Sequence, residues 1–136
     1  MKKLLLNGTW HMEGGKYACD GTVPGSVYSF LLENSLIDDP YYRMNELSLT
    51  GILEDDFTFS RNFELTPDGS PVLLKCEGLD TLAVISVNGK HIADTDNMHR
   101  TYELDVTDAL VEGKNEISIT FRSPNKYIKK MHSEEV

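Results

Sequence analysis

Leu82-Ala83-Val84-Ile85-Ser86-Val87-Asn88-Gly89-Lys90-His91-Ile92-Ala93-Asp94 places an Asn-Gly pair between two stretches of apolar and β-branched residues. Asn-Gly readily supplies the two positive-φ positions of a type I′ turn, so the stretch predicts a β-hairpin centred on Asn88-Gly89. Downstream, Asp96 to Arg100 reads as a polar loop. Tyr102 to Val106 and Ile117 to Phe121 then alternate apolar with polar residues, the period of two that a half-buried strand requires. Between them Asp108 to Asn115 reads as a short helical turn ending at Gly113. Upstream, Phe57-Thr58-Phe59-Ser60-Arg61-Asn62-Phe63-Glu64-Leu65 alternates in the same way, Thr66 to Pro71 is a turn, and Val72 to Cys76 begins another strand.

Toward the N-terminus, Leu4-Leu5-Leu6 reads as a first strand, Asn7-Gly8 as a break, Trp10 as a core plug, and Gly14-Gly15 as a turn. One helix is expected near residues 26–34, with Ser26 as N-cap and Val27, Phe30 and Leu31 on one face. Ile37 to Glu46 has no period and contains Pro40, so it reads as an ordered loop. Its aromatics and charges fit either a site lining or tyrosines packing the loop onto the sheet. Asn125 to Val136 carries little apolar content and is expected to be a frayed helix or tail. Short strands with frequent turn signals and one helix imply an all-β antiparallel β-sandwich.

At 136 residues the chain has one domain's length. A net charge of −9 disfavours nucleic acid and anionic lipid, since basic residues gather only in short pairs such as Lys129-Lys130. Cys19 and Cys76 are read as two buried or half-buried thiols, with a single bridge as the alternative. Met1-Lys2-Lys3 opens like a signal peptide, but the apolar run ends after three leucines. With no apolar span of membrane length, the expectation is a soluble cytoplasmic protein.

The four histidines, His11, His91, His99 and His132, have no metal-ligand spacing. Nucleophile elbows and nucleotide-binding glycine loops are absent from the sequence. Glu54-Asp55-Asp56 reads as a solvated turn, and Asp38, Asp39, Asp94 and Asp96 do not match a calcium loop. No metal and no cofactor are expected.

Several pieces, in order, nevertheless form a specific set. They are Leu6-Asn7-Gly8-Thr9-Trp10, Val23-Pro24-Gly25-Ser26-Val27, Leu36 to Arg43 with Asn45-Glu46, Phe57 to Arg61, Cys76 to Ala83, Val87-Asn88-Gly89, Asp96-Asn97-Met98-His99-Arg100 and Phe121-Arg122-Ser123-Pro124. This set resembles the N-terminal sugar-binding domain of β-mannosidases in glycoside hydrolase family 2. The resemblance implies a galactose-binding-domain-like jelly roll over residues 1–124, with 125–136 as a tail or the start of an intervening segment. It implies a role as the non-catalytic N-terminal domain of a retaining enzyme that hydrolyses terminal β-D-mannose residues. The catalytic glutamates of such enzymes lie in a TIM barrel, which needs about 250 residues and has no room here. No catalytic residue is therefore assigned.

Met44 stands where the family usually has aspartate, and Phe57 and Phe59 where it has tryptophan and tyrosine, so these positions are given no sugar contact. The substrate- or interdomain-contact candidates are Tyr41, Tyr42, Arg43, Asn45, Glu46, Asn97, His99 and Arg100. Their expected partners are the C-terminal domains of the same enzyme and, through them, a β-mannoside. The family's pattern continues past Pro124 to a closing strand, and this chain is expected to stop before it. That would leave an open sheet edge able to pair with a second copy. The alternatives are a free-standing carbohydrate-binding module or the N-terminal domain of another family 2 glycosidase.

Overall fold

A computed structural model describes residues 3–15, 17–34, 56–65, 69–79, 82–96, 101–122, 127–128 and 130–135. In chain order its elements are β1 (Lys3–Leu5), β2 (Gly8–Gly14), β3 (Tyr17–Val23), β4 (Gly25–Ser26), α1 (Val27–Glu33), β5 (Phe57–Leu65), β6 (Val72–Glu77), β7 (Ala83–Val87), β8 (Lys90–Thr95), β9 (Tyr102–Asp105), β10 (Gly113–Phe121), β11 (Tyr127–Ile128) and β12 (Lys130–Glu135). A six-stranded sheet, β3-β2-β5-β10-β7-β8, faces a four-stranded sheet, β1-β12-β6-β9, and β4 pairs with β11. Neighbouring strands are antiparallel, which gives the expected all-β jelly-roll sandwich.

Alternation decides which side chains fill the space between the sheets. Phe57, Phe59, Ile85, Ile117, Ile119 and Phe121 point inward from the six-stranded sheet, and Leu74, Cys76 and Met131 meet them from the four-stranded one. Phe59 sits edge-on to Phe30 at 4.9 Å and to Phe121 at 5.4 Å between ring centroids, the geometry that ring quadrupoles favour. Trp10 is 1% exposed, and its indole Nε1 donates to the Leu6 carbonyl at 2.6 Å, so it is the core plug its composition predicted.

Asn88 and Gly89 adopt φ of 52° and 81°, the two positive values of the predicted hairpin turn between β7 and β8. Helix α1 starts at the predicted cap. Ser26 Oγ accepts from the Ser29 N–H at 3.3 Å, and Ser29 Oγ accepts from the Ser26 N–H at 2.8 Å, a reciprocal box with serine in the third position. The helix then lays Phe30 over Gly21 of β3, where a Cβ would stand 2.4 Å from the ring, so only glycine permits this approach. At the far end Asn34 Nδ2 donates to the Asp20 carbonyl at 2.6 Å and to the Phe30 carbonyl at 2.8 Å, fixing the helix to the sheet.

Two expectations are corrected. The helical turn over Asp108 to Asn115 is confined to a 3₁₀ turn at Thr107–Ala109, and Gly113 begins β10. The cause is Asn115, whose side chain accepts from the Val111 N–H and donates to the Val111 and Gly113 carbonyls, giving the loop backbone partners without a helix. The expected tail is also sheet. Strand β12 lies between β1 and β6 with both sides paired, and Ile128 and Met131 are fully buried. Residues 130–135 thus belong to the sandwich as a strand between β1 and β6. Lys130-Met131-His132-Ser133-Glu134-Glu135 lacks apolar alternation because two neighbouring backbones, more than its side chains, hold it in place.

Candidate functional site

Tyr41, Tyr42, Arg43, Asn45, Glu46, Asn97, His99 and Arg100 lie outside the described residues. The described residues next to them are informative. Register pairs Gly14 with Phe57, Phe57 with Phe121, Phe121 with Ala83, and Ala83 with Thr95, so these five residues form one rung at one end of the six-stranded sheet. Asp56, which ends the segment carrying Tyr41 to Glu46, and Asp96, which precedes Asn97, both adjoin this rung. One described flank of each predicted segment therefore lies at the same end of the sheet.

At that end a side chain bridges the two sheets. Tyr102, the first residue of β9, accepts on its hydroxyl from the Asp96 N–H at 3.0 Å and donates to Asp96 Oδ1 at 3.1 Å. This closes the gap between the last strand of one sheet and the edge of the other. Thr95 beside it is 2% exposed, whereas Leu82, one residue before the rung, is 50% exposed and apolar. The Leu82 carbonyl accepts from the Arg122 N–H at 2.9 Å, so the exposed leucine rides on a fixed backbone.

The opposite junction depends on a residue that sequence reasoning did not single out. Arg61 occupies an inward register position of β5, between Phe59 and Phe63. Its Nη1 donates to the carbonyls of Leu6 and Asn7 at 2.9 and 2.6 Å, where the chain passes from β1 to β2. Asn7 Oδ1 accepts from the Met131 N–H at 2.9 Å, which ties β12 to the same crossing. The available signal was a cation standing where alternation calls for an apolar side chain.

The outer face of the six-stranded sheet carries a cluster of interacting titratable side chains around His11. His11 Nδ1 bonds Asp20 Oδ1 and His11 Nε2 bonds Glu13 Oε1, both at 2.8 Å. A carboxylate oxygen at each ring nitrogen favours the protonated ring, so its pKa is raised, first by Asp20 and then by Glu13. Beside it runs a shallow groove of ≈ 390 Å³ lined by Asp20, Ser60, Asn62 and Glu116 among others. Both carboxylates are engaged by one ring, so the cluster does not set an acid and a nucleophile across an open gap as glycoside cleavage requires. Among the described residues no group of three or more His, Cys, Asp or Glu could hold a metal ion. Cys19 and Cys76 are free and buried, and burial pushes both thiols up, which removes them as nucleophiles at neutral pH.

A galactose-binding-like domain is what the comparison with known proteins also finds. The family described as "Glycosyl hydrolase 2 galactose-binding domain-like" matches residues 9–136. The chain belongs to this family. Its members' resemblance extends to sequence: a probable β-mannosidase of Caenorhabditis elegans is 38% identical over 95% of this chain, and the β-mannosidase of Bos taurus is 41% identical over 91%. The crystal structure of a β-D-mannosidase from Dictyoglomus thermophilum superposes with a TM-score of 0.84 at 37% identity, covering 91% of this chain and 16% of that one. An exo-chitosanase of Amycolatopsis orientalis, with a TM-score of 0.86 at 13% identity, covers 99% of this chain and 21% of its own, and shares the fold alone. This galactose-binding-like domain spans 15% of the length of the two β-mannosidases it matches.

Proposed function

We propose that the chain is the non-catalytic N-terminal domain of a retaining β-mannosidase, and that the complete polypeptide hydrolyses terminal β-D-mannose residues. The observation that carries this reading is identity of 37 to 41% over more than nine-tenths of the chain to three proteins named as β-mannosidases, of which it makes up 15 or 16%. The chain supplies structure rather than reacting groups, since the reaction requires a barrel of about 250 residues. Its contact surface is the end of the sandwich marked by Gly14, Phe57, Phe121, Ala83 and Thr95. Tyr41, Tyr42, Arg43, Asn45, Glu46, Asn97, His99 and Arg100 would extend from there toward the remaining domains and the rim of their pocket.

The test is to produce the longest polypeptide that carries this chain and assay it against 4-nitrophenyl glycosides. Release from the β-mannoside, well above that from the β-galactoside and β-glucuronide, is the expected result. A preference for either of the others would transfer the chain to another group of family 2 glycosidases. Tyr42→Ala and Arg100→Ala should each lower activity or thermal stability of that polypeptide, and if both leave both unchanged, the contact role of the loops is wrong. A free-standing carbohydrate-binding module is less well supported, because Trp10, Phe30, Phe57, Phe59 and Phe121 are fully buried and none can stack on a sugar. Heat from titrating the isolated chain with mannobiose at low millimolar concentration would favour that module instead.

A further inference from the structure

The two outer faces of the sandwich differ in kind. On the four-stranded sheet, Lys75 of β6 and Glu103 of β9 stand opposite one another with their charged atoms 3.7 Å apart, on the same face as half-buried Leu73 and exposed Leu5. On the six-stranded sheet one rung runs Asp20, His11, Ser60, Ser118, Ser86, His91 across all six strands. The next rung places Thr58, Thr120 and Val84 over the same three central strands. The centre of this face is therefore a floor of small side chains, half-buried already and free of Lys, Arg, Glu and Gln.

Its margins are raised. His11 with Asp20 and Glu13 stands on one side, and His91, bonded to Asp94 at 3.0 Å, on the other. His91 and Asp94 share the outward face although three residues apart because the register of β8 slips opposite Ile85 and Ser86. Two grooves lie here: the one beside Ser60, and a second of ≈ 660 Å³ lined by Glu13, Gly14, Tyr17, Ala18 and Thr58 among others.

We infer that this face is an interface on which a Lys- and Arg-bearing surface of another domain of the same polypeptide packs. The inference rests on the reading of the chain as one domain of a longer protein. Three features support it. Short hydroxyl side chains lose little rotamer freedom on burial, whereas each Lys or Glu forfeits up to about 2 kcal/mol, so the centre of this face is cheap to cover. Its outward charges are Glu13, Asp20, Glu64, Asp94 and Glu116 against Lys114 and a protonated His11, a net acidic face, so the complementary surface is basic. Its extent, about 24 Å across six strands by about 17 Å along them, would bury roughly 800 Å² counting both partners, within the range of interdomain contacts.

The experiment introduces single cysteines into the longest polypeptide carrying this chain and follows alkylation by a bulky maleimide under native conditions. Buried Cys19 and Cys76 serve as the unreactive background. Ser60→Cys and Ser118→Cys on the inferred interface should react at least tenfold more slowly than Glu103→Cys on the opposite face, and sodium chloride at 1 M should narrow the gap by weakening charge attraction. Equal rates at the three positions would overturn the inference. Protection that salt leaves unchanged would overturn the basic partner, and fast reaction slowed only by added mannotriose would make the face a glycan surface instead. Hydrolysis of the 4-nitrophenyl β-mannoside by the same preparations separates the two readings. Activity without protection removes the interface alone, and protection without activity removes the mannosidase alone.

Discussion

Asn115 is 1% exposed and uses its whole amide. Its Oδ1 accepts from the Val111 N–H and from Asn88 Nδ2, both at 2.8 Å, and its Nδ2 donates to the Val111 and Gly113 carbonyls at 3.0 and 3.1 Å. Truncation orphans backbone groups in a dry setting, so Asn115→Ala should cost about 3 kcal/mol, read as a lower urea midpoint at constant slope. Arg61→Met keeps the apolar stem but strands the Leu6 and Asn7 carbonyls, and should cost about 2 kcal/mol by the same measurement. His11 responds to pH. Its folded pKa lies above the ordinary 6.5, so the stability it lends is fully present below 6.5 and is lost as pH rises through the folded value. Since the imidazole is 40% exposed, screening keeps the effect under about 1 kcal/mol. Wild type should exceed His11→Gln in unfolding free energy at pH 5.5 and match it at pH 8.5, and an NMR titration should place the His11 midpoint above 6.5. A gap independent of pH would mean that the ring acts through packing.

At the scale of elements, α1 is held by one close approach. Gly21→Ala drives a methyl into the Phe30 ring and should cost about 2 kcal/mol. Phe30→Leu empties part of the same space, so the double variant should be more stable than the sum of the single effects predicts. Additive losses in a denaturation cycle would show that the helix yields instead of clashing. The hairpin, the capped helix and strands β5, β7 and β10 were legible in the sequence because each is specified locally, by an Asn-Gly turn, a Ser cap or a period of two. Strand β12 was not, since Met131 is the one strongly apolar residue in its run and its position depends on β1 and β6, more than a hundred and about sixty residues away along the chain. Arg61 and Asn115 were passed over for a related reason: polar side chains acquire structural roles only once distant carbonyls are brought to them.

For the whole molecule, β12 is the piece that joins first and last. A chain ending at Pro124 removes the hydrogen-bonded neighbour of β1 and one of the two neighbours of β6, and should lose its cooperative thermal transition. Met131→Asp in the full chain, a charge at a fully buried position, should destabilise by on the order of 4 kcal/mol. A transition unaffected by either change would return residues 125–136 to the status of a tail.

The sequence by itself determined that this chain is an all-β sandwich with one capped helix, since turn chemistry and alternation are written residue by residue. Its ordered motifs also determined the family, and with it the expectation of a non-catalytic domain. Only the tertiary structure decided that residues 130–135 are an internal strand, and that Asp56 and Asp96, which flank the two candidate segments, lie at one end of the sheet. It alone placed small hydroxyls at the centre of the six-stranded sheet's outer face. Those facts follow from register between strands distant in the chain, and register is fixed by packing and backbone pairing that no local stretch encodes.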